Sequence, residues 1–329
     1  MKNEKTGFTL GKFAPFHKGH ESLLNTAASE VDKLIVCVCE DSVTRIPLKT
    51  RADWIRDIYA GGNVEVIECY DCPQEVGYTE EIKKSHEDYY IKLLGGRKIT
   101  HFYTAEHYGG HMSKAFGAAD RRIKKDVRIS ATEIRKNPYR YRKYISDTVY
   151  KDLILKAAFL GSECTGKTTL AKEMARRLDT NYMFEYGSDY WFKHQVNGRL
   201  APEQLAEIAT GHIEIENELI LQSNKYLFVD TNAITTFMFA LDYHGYALPE
   251  LERLAAECKE RYDLFFLCCD DFPYEDSAGR RGGEYRAVFQ KKIADDLLSR
   301  GIPFIELRGS IERRIEKVKE CIANCDISR

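Results

Sequence analysis

The sequence predicts an α/β protein of two units, each built around a parallel sheet, and three observations carry this prediction. An apolar run over residues 153–160 leads into GSECTGKT at residues 161–168, which fits G-x-x-x-x-G-K-[ST] at every fixed position and continues into a helix-forming segment. A strand–helix–strand pattern covers residues 6–39, and such a unit implies parallel strands. The length of 329 residues corresponds to about two domains. We therefore predict a first domain at residues 1–150 and a second at residues 151–329.

The composition is that of an ordinary globular protein, with 43% hydrophobic and 30% charged residues. Lys and Arg number 49 against 51 Asp and Glu, and this near-neutral balance argues against a protein that coats nucleic acid. No apolar run has the length of a membrane span, and the start MKNEK is not a signal segment. We expect a cytoplasmic chain with no membrane partner and mostly reduced cysteines.

Cys69 and Cys72 form the one suggestive cysteine pair. A structural zinc site normally needs a second pair or nearby histidines, and a redox pair should open a helix, whereas Pro73 follows here. We interpret the pair as two thiols at a strand end.

The first ligand site is predicted where the opening strand, residues 6–10, ends. Lys12, His17 and His20 follow it and precede a helix at residues 21–29, and parallel sheets bind ligands beyond this end of their strands. Two imidazoles and an amine at a helix start form a cationic cup suited to phosphate. Since no Ser-His or Cys-His nucleophile accompanies them, the pattern favours charge stabilisation over covalent catalysis. A metal-binding His-x-x-His pair and two unrelated surface histidines are the alternatives.

The rest of the first half contains a helix at residues 50–56 and strands at residues 64–67 and 101–104. Trp54 is predicted to pack in the core rather than to stack on a ligand. Residues 121–125 and 135–143 are basic with interleaved tyrosines, as RNA-binding segments can be. We interpret them as solvated faces beside a phosphate site and expect no nucleic-acid partner.

The second ligand site is the loop at residues 161–168. Its glycines allow the backbone to wrap around a triphosphate, its N–H groups point inward, and the following helix adds positive potential. Lys167 is predicted to reach the β- and γ-phosphates, and the Thr168 hydroxyl to ligate Mg²⁺. The predicted nucleotide-binding residues are Gly161, Ser162, Glu163, Cys164, Thr165, Gly166, Lys167, Thr168 and Thr169.

Acidic side chains end the next two predicted strands, at residues 181–184 and 226–230. Glu185 is predicted to orient or deprotonate an acceptor hydroxyl, with Asp189 as the competing candidate. Asp230 ends a Walker-B-like strand, which predicts a place near Mg²⁺ or near that hydroxyl. Capping of the following helix is the alternative for each of them.

The later elements are a helix at residues 203–222, strands at residues 264–269 and 304–309, and a closing helix at residues 311–321. The polar segment at residues 270–281 is predicted to be a mobile lid that closes Arg280 or Arg281 onto phosphate. An exposed loop with incidental arginines is the alternative.

Two motifs in the first half resemble those of the nucleotidylyltransferase superfamily. Residues 12–20 resemble its H-x-G-H signature, and ISATEIR at residues 129–135 resembles I-S-S-T-x-x-R, with Ala131 in place of the second Ser. The resemblance implies a Rossmann-like domain in which His17 and His20 contact the ATP phosphates and stabilise the pentacovalent transition state. It further implies phosphate contacts from Ser130, Thr132 and Arg135, and more weakly from Arg51. AEHYG at residues 105–109 resembles S-E-x-Y-G, which lies beside the substrate in the nicotinamide-mononucleotide subgroup, with Ala105 in place of Ser.

A nucleotidylyltransferase domain followed by a P-loop kinase domain resembles the bifunctional NadR family over nearly the whole chain. The order of the two domains and the segments Glu-Tyr-Gly and Val-Asp-Thr-Asn carry this resemblance. It implies phosphorylation of nicotinamide riboside to nicotinamide mononucleotide (NMN) by the second domain, and adenylyl transfer from ATP to NMN by the first, with Mg²⁺. Some members have an N-terminal helix-turn-helix domain, which we do not expect here. A homo-oligomer and the choice between the amide and the acid mononucleotide stay open.

Two other hypotheses remain. The same two folds would act on a different phosphorylated nucleoside or vitamin, or the chain would be a nucleotide sensor or RNA-binding protein with little activity. The presence of His17, His20, Lys167 and Thr168 argues against the second.

Overall fold

The computed structural model describes residues 4–41, 44, 46–77, 79–106, 109–124, 129–272 and 283–327. The chain divides into two compact units, residues 1–150 and 151–325, and each has its own sheet. Within the described ranges, no helix combines the length and the apolar character that crossing a bilayer requires.

The first unit is built on a five-stranded parallel sheet. Its strands are β1 Thr6–Gly11, β2 Lys33–Cys39, β3 Val64–Cys69, β4 His101–Thr104 and β5 Ala119–Arg122. Its helices are α1 Lys18–Glu30, α2 Leu48–Ile58, α3 Glu80–Leu94, α4 Gly109–Phe116, α5 Ala131–Lys136 and α6 Asp147–Asp152. The strand order is β3-β2-β1-β4-β5, so the order reverses at β1.

Burial in the first unit follows from helices that cover the central strands. After its first residue β2 is buried throughout, and Phe8, Ile35 and Phe102 have no exposed surface. Trp54 is 1% exposed on α2, which confirms its predicted place in the core. β5 was not predicted, because it lies in the basic stretch; all four of its residues are exposed, as suits an edge strand.

The second unit contains another five-stranded parallel sheet. Its strands are β6 Leu155–Leu160, β7 Asn181–Met183, β8 Tyr226–Asp230, β9 Leu264–Cys268 and β10 Ile305–Leu307. Its helices are α7 Lys167–Arg177, α8 Tyr186–His194, α9 Pro202–Ile220, α10 Ala233–His244, α11 Pro249–Arg261, α12 Gly283–Ser299 and α13 Ile311–Ile327. The strand order is β10-β9-β6-β8-β7, and Phe159, Phe228 and Phe266 stack across the three central strands.

The predicted fold class, two α/β units with parallel sheets, is therefore confirmed. In both sheets the strand that precedes the phosphate motif, β1 or β6, is the central one and lies where the strand order reverses. Crevices at the carboxyl ends of such strands are the usual ligand sites of open α/β sheets. The fold thus directs attention to the loops that follow β1 and β6.

Candidate functional site

The loop after β1 carries His17 to the start of α1. His17 is the N-cap of this helix, and its Nδ1 accepts a hydrogen bond from the Gly19 N–H at 3.0 Å. A neutral His17 then carries its proton on Nε2, so the opposite edge of the ring is a hydrogen-bond donor. A Cβ on residue 19 would lie 2.9 Å from His17 Cε1, so this close approach depends on glycine.

His20 lies in the first turn of α1, with its ring stacked on that of His17. The two ring centroids are 3.8 Å apart, and Phe13 and Phe16 pack against His20 at 5.0 and 5.8 Å. Three neighbouring rings therefore restrict the His20 imidazole, whereas the His17 imidazole is held by its stack on His20 and by the hydrogen bond from Gly19. Over the described residues, no group of three or more His, Cys, Asp and Glu side chains has an arrangement that would hold a metal. The interpretation of this site as a phosphate cup stays our prediction.

Both histidines line a cavity of about 480 Å³ in the first unit. Lys12, Ser130 and Ala131 line it too, so residues of both nucleotidylyltransferase-like motifs meet at one cavity. The Lys12 side chain forms an ion pair at the cavity wall, because its Nζ lies 2.8 Å from Asp41 Oδ1.

Several lining residues of this cavity escaped the sequence analysis: Glu40, Gln74, Glu75 and His86. Glu40 follows β2 directly, and Gln74 and Glu75 follow β3. The rule that ligands bind beyond strand ends would have found these three residues. Ala105 and Glu106, from the segment that resembles S-E-x-Y-G, also line the cavity, whereas His107 and Tyr108 lie outside the described residues.

Ser130 begins α5 in a capping box with Glu133. Its hydroxyl accepts from the Glu133 N–H at 3.2 Å and lies 2.8 Å from the Glu133 carboxylate, which also accepts from the Ser130 N–H. The Ser130 hydroxyl is therefore already engaged in holding the helix start.

Thr132 and Arg135 are not in the wall that the described residues form around this cavity. The Arg135 guanidinium instead donates to the Ala14 carbonyl oxygen and, at 3.3 Å, to Thr132 Oγ1. Arg135 thus ties the second motif to the loop of the first.

Arg51, a predicted phosphate contact, lies behind the loop and is not in the cavity wall that the described residues form. Its side chain is fully buried, and its guanidinium donates to the carbonyl oxygens of Ile46, Lys12 and Cys39 at 3.0, 2.6 and 2.7 Å. It also pairs with Glu40 at 3.1 Å. These contacts use the donors of the guanidinium behind the loop, so Arg51 braces the backbone at residue 12.

The two cysteines of the C-x-x-C sequence occupy the end of β3 and the turn after it. Both are buried free thiols, and the Cys72 sulfur accepts a hydrogen bond from Gln74 Nε2 at 3.3 Å. The arrangement agrees with two thiols at a strand end.

The loop after β6 has a backbone conformation that requires glycine. Gly161 has φ 141°, and a Cβ there would lie 2.6 Å from the Cys268 carbonyl oxygen. Lys167 is 8% exposed and donates to the Ser162 carbonyl oxygen at 2.9 Å, which folds its side chain back over the loop. The predicted residues that line the cavity here are Gly161, Glu163, Cys164, Thr165, Gly166, Lys167, Thr168 and Thr169.

Ser162 is the exception among the predicted loop residues. Its N–H donates to Gln290 Oε1 at 2.7 Å, and the residue is absent from the cavity wall that the described residues form. Its amide points towards α12, so phosphate binding by Ser162 stays a prediction that this N–H does not serve.

Asp230 lies at the end of β8, facing the loop. Its carboxylate is fully buried and accepts from Thr168 Oγ1 at 2.5 Å. Burial, reinforced by the Glu185 carboxylate, raises the pKa of Asp230 to about 6, against the opposing effects of Lys167 and Thr168. Asn232, not Asp230, caps α10, because its Oδ1 accepts from the Ile234 N–H at 3.0 Å.

The Thr168 and Asp230 oxygens fit a magnesium ion. The second carboxylate oxygen of Asp230 is buried and has no hydrogen-bond partner among the described residues. An uncompensated buried carboxylate oxygen is costly, and Mg²⁺ prefers carboxylate and hydroxyl oxygens of this kind. These two side chains would hold the ion.

Glu185 reaches the cavity, whereas Asp189 does not belong to the wall that the described part of the chain forms. Glu185 occupies the N-cap position of α8 without a capping hydrogen bond from its side chain to any described residue. Of the two candidates for the acceptor hydroxyl, the geometry therefore favours Glu185. Arg280 and Arg281, predicted to close over phosphate, lie outside the described residues.

The far wall of this second cavity, about 450 Å³ in volume, is aromatic. The aromatic lining residues are Trp191, Phe192, Phe239, Tyr243 and Phe289. Thr235, Thr236 and His212 add polar groups. This wall has no distinct sequence signal, because aromatic residues on helices are equally typical of a core.

Arg314 was also missed, and it supports the loop from behind. It is 1% exposed and donates to the carbonyl oxygens of Thr165, Cys269 and Gly309 at 2.8, 3.1 and 3.0 Å.

Comparisons with known proteins agree with the two-unit organisation. Residues 8–137 match the family described as cytidylyltransferase-like, and residues 156–314 match the family described as AAA domain. The trifunctional NAD biosynthesis/regulator protein NadR of Salmonella typhimurium strain LT2 is 28% identical, over 97% of this chain and 84% of that protein. The protein of the same name from Escherichia coli K12 is 29% identical, over 93% of this chain and 80% of that protein.

Two solved structures share the fold with a TM-score of 0.58 each, and both alignments cover 98% of this chain and 96% of the other. One is a NadR protein in complex with NAD and AMP-PNP, at 21% identity, and the other a NadR protein in complex with NR, at 22%. At these identities the likeness shows the fold.

Proposed function

Because this chain belongs to the NadR family, whose members it matches over nearly its whole length, we propose that it is a bifunctional transferase of NAD biosynthesis. The second unit phosphorylates nicotinamide riboside to NMN, and the first transfers an adenylyl group from ATP to NMN, giving NAD and pyrophosphate. Its partners are these small molecules.

One observation carries the proposal: each unit has its own cavity, and each cavity has a phosphate-binding motif in its wall. In the first unit the motif presents imidazoles, and in the second it presents a glycine loop with Lys167. Two separate nucleotide sites fit two successive transfers that each consume one ATP.

In the second unit the 5′-hydroxyl of the riboside attacks the γ-phosphorus of ATP. The new bond joins that oxygen to phosphorus, the bond to the β-phosphate oxygen breaks, and the hydroxyl proton passes to the Glu185 carboxylate. Lys167 and the loop N–H groups hold the phosphates, so that alignment and charge neutralisation lower the barrier. The aromatic wall suits the positively charged pyridinium ring, which aromatic faces attract.

Magnesium is the proposed cofactor, held by Thr168 and Asp230. When bound, it neutralises charge on the phosphates. Asp230 also fixes the Thr168 hydroxyl through their 2.5 Å contact, which keeps both oxygens at the same end of the loop.

In the first unit a phosphate oxygen of NMN attacks the α-phosphorus of ATP, and pyrophosphate leaves. His17 and His20 donate hydrogen bonds to the phosphate oxygens as negative charge builds up on them. The Gly19 N–H fixes the His17 ring through Nδ1, so that Nε2 is the donating atom. We propose that Ser130 contacts phosphate through this cavity and that Arg135 acts by holding the loop at Ala14.

A panel of acceptors tests the proposal. The whole chain is incubated with labelled ATP, Mg²⁺ and one acceptor at a time: nicotinamide riboside, NMN, cytidine or adenosine. We expect labelled NMN from the riboside with γ-labelled ATP, and labelled NAD from NMN with α-labelled ATP. Turnover of cytidine or adenosine with none of either pyridine substrate would contradict the assignment and favour the same folds with another substrate.

A further inference from the structure

His212 is a polar residue of the second cavity that the mechanism above does not use. It lies on α9, is 4% exposed and lines the cavity beside the apolar side chains of Leu205 and Ile208. A polar group buried among apolar neighbours is costly unless a hydrogen bond satisfies it. Its partners therefore decide what it does.

One edge of the imidazole faces a fixed carboxylate. His212 Nε2 lies 3.9 Å from Glu216 Oε2, is sealed from solvent, and has no hydrogen-bond partner in the described part of the chain. Glu216 is fully buried and is held by Arg261 Nε at 2.8 Å and by the Tyr262 hydroxyl at 2.7 Å. The carboxylate cannot turn away, because both of its oxygens are engaged.

The proton of His212 follows from these surroundings. Burial lowers the pKa of His212 to about 4, against the opposing effect of Glu216, so the ring is neutral at physiological pH. A neutral ring carries one N–H, and a carboxylate favours the tautomer that points it towards the negative charge. The proton is therefore on Nε2, and Nδ1 is left as a hydrogen-bond acceptor.

Nδ1 is the nitrogen that remains open to the cavity. Nε2 is sealed from solvent, whereas Nδ1 is not, and Nδ1 makes no hydrogen bond to the described residues. Since His212 lines the cavity, Nδ1 is the atom that a ligand can reach. Resting on the proposed kinase function, we propose that Nδ1 of His212 accepts a hydrogen bond from an uncharged donor group of the riboside. That donor is either the carboxamide N–H or a ribose hydroxyl, since both present the same chemistry. Glu216 is a positioning residue that fixes the tautomer.

The test combines variants with substrates. His212→Phe keeps a ring of similar size but removes the acceptor, and His212→Asn keeps a polar atom close to the position of Nδ1. His194→Phe is the matched control, because His194 is exposed on α8 and absent from the wall that the described residues form. Each variant is assayed with nicotinamide riboside, with nicotinic acid riboside, and with the 2′-deoxy and 3′-deoxy forms of nicotinamide riboside. NAD formation from NMN, which uses the other unit, should stay unchanged in every variant. The heat-inactivation profile of the phosphorylation activity, compared with that of the wild type, reports whether the second unit is folded.

We expect His212→Phe to lower kcat/KM for nicotinamide riboside about tenfold, mainly through KM, with His212→Asn in between and His194→Phe unchanged. The loss should vanish for the one analogue that lacks the donor: the acid riboside if the carboxamide is read, or one deoxy form if a ribose hydroxyl is read. An unchanged kcat/KM in His212→Phe, or equal losses with every analogue, would overturn the inference. If the wild type phosphorylates none of these ribosides, the proposed kinase function falls, and this inference with it.

Discussion

The two phosphate loops solve one problem with different chemical groups. Each follows the central strand of its sheet, and each is braced from behind by a buried arginine that donates to loop carbonyls. Arg51 bonds the carbonyl of Lys12, and Arg314 bonds that of Thr165. In this geometry both guanidinium groups are engaged with backbone carbonyl oxygens.

The two loops differ in the groups that they present to the cavity, on the side opposite the buried arginine. The first loop presents side chains, His17 and His20, which are oriented by stacking and by one hydrogen bond from Gly19. The second loop is wrapped tightly by the backbone conformation at Gly161, with Lys167 folded over it. A phosphate site made of side chains loses function when one ring changes orientation. A site made of backbone N–H groups loses function when a substitution prevents the required backbone conformation.

The largest expected effect separates the two activities. Lys167→Ala should lower riboside phosphorylation by at least about 10²-fold, because the charge that faces the β- and γ-phosphates is lost, while NAD formation from NMN persists. His20→Ala should do the reverse to a similar extent. Initial rates of both reactions are measured on each variant, with Lys172→Ala and His111→Ala as controls of the same residue types. Loss of both activities in each well-folded variant would show that the two sites are not independent.

The next prediction compares two glycines. Gly161→Ala should lower phosphorylation about 10²-fold and destabilise its unit by about 2 kcal/mol, because the new Cβ meets a backbone carbonyl at 2.6 Å with φ 141°. Gly19→Ala meets only the ring of His17 at 2.9 Å, and a side chain can rotate away. It should lower NAD formation about tenfold, the smaller effect of one misoriented donor, with little change in stability.

Heat challenge at graded temperatures, followed by both assays, measures the stability of each unit through its own activity. The comparison breaks if the two alanine variants lose stability equally, because the first loop would then depend on its backbone as strictly as the second.

The two braces should respond alike. Arg51→Lys and Arg314→Lys keep the charge, but one amine cannot reach three carbonyl oxygens, so buried acceptors are left unpaired. We expect each unit to be destabilised by about 2–3 kcal/mol and its own activity to fall about tenfold, with the other activity retained. The same heat challenge checks this, with Arg253→Lys, on an exposed ion pair of α11, as the control. A selective rise of KM for ATP in Arg51→Lys, without loss of stability, would instead support its predicted role as a phosphate contact.

These arginines also show which features of the structure can be predicted from the sequence. The fold class, Trp54 in the core, and the strand ends at Glu185 and Asp230 follow from periodicity and from motif context. The direction of a side chain on a helix does not follow from them. The guanidinium of Arg51, a predicted phosphate contact, donates to backbone carbonyl oxygens behind the loop.

What the sequence cannot give is contact between distant segments. His212 belongs to no sequence motif. Its proposed role depends on its contact with Glu216 and on a cavity that residues of other helices line. Ser162 fits the phosphate-loop pattern, but Gln290, 128 positions further along the chain, takes its N–H. Such pairings are decided by packing, which a linear pattern does not encode.

The smallest expected effect concerns Ala131, which lines the first cavity where the family pattern has a second serine. The neighbouring Ser130 hydroxyl is engaged with Glu133, so Ala131→Ser would add a hydroxyl that the capping box does not use. One added neutral hydrogen bond to phosphate should raise kcat/KM for ATP in NAD formation about three- to fivefold and leave phosphorylation unchanged. Ala60→Ser, at an exposed turn, is the control. An unchanged or lower kcat/KM would mean that a hydroxyl at residue 131 does not reach the phosphates, so that the family's second serine position adds no binding energy in this chain.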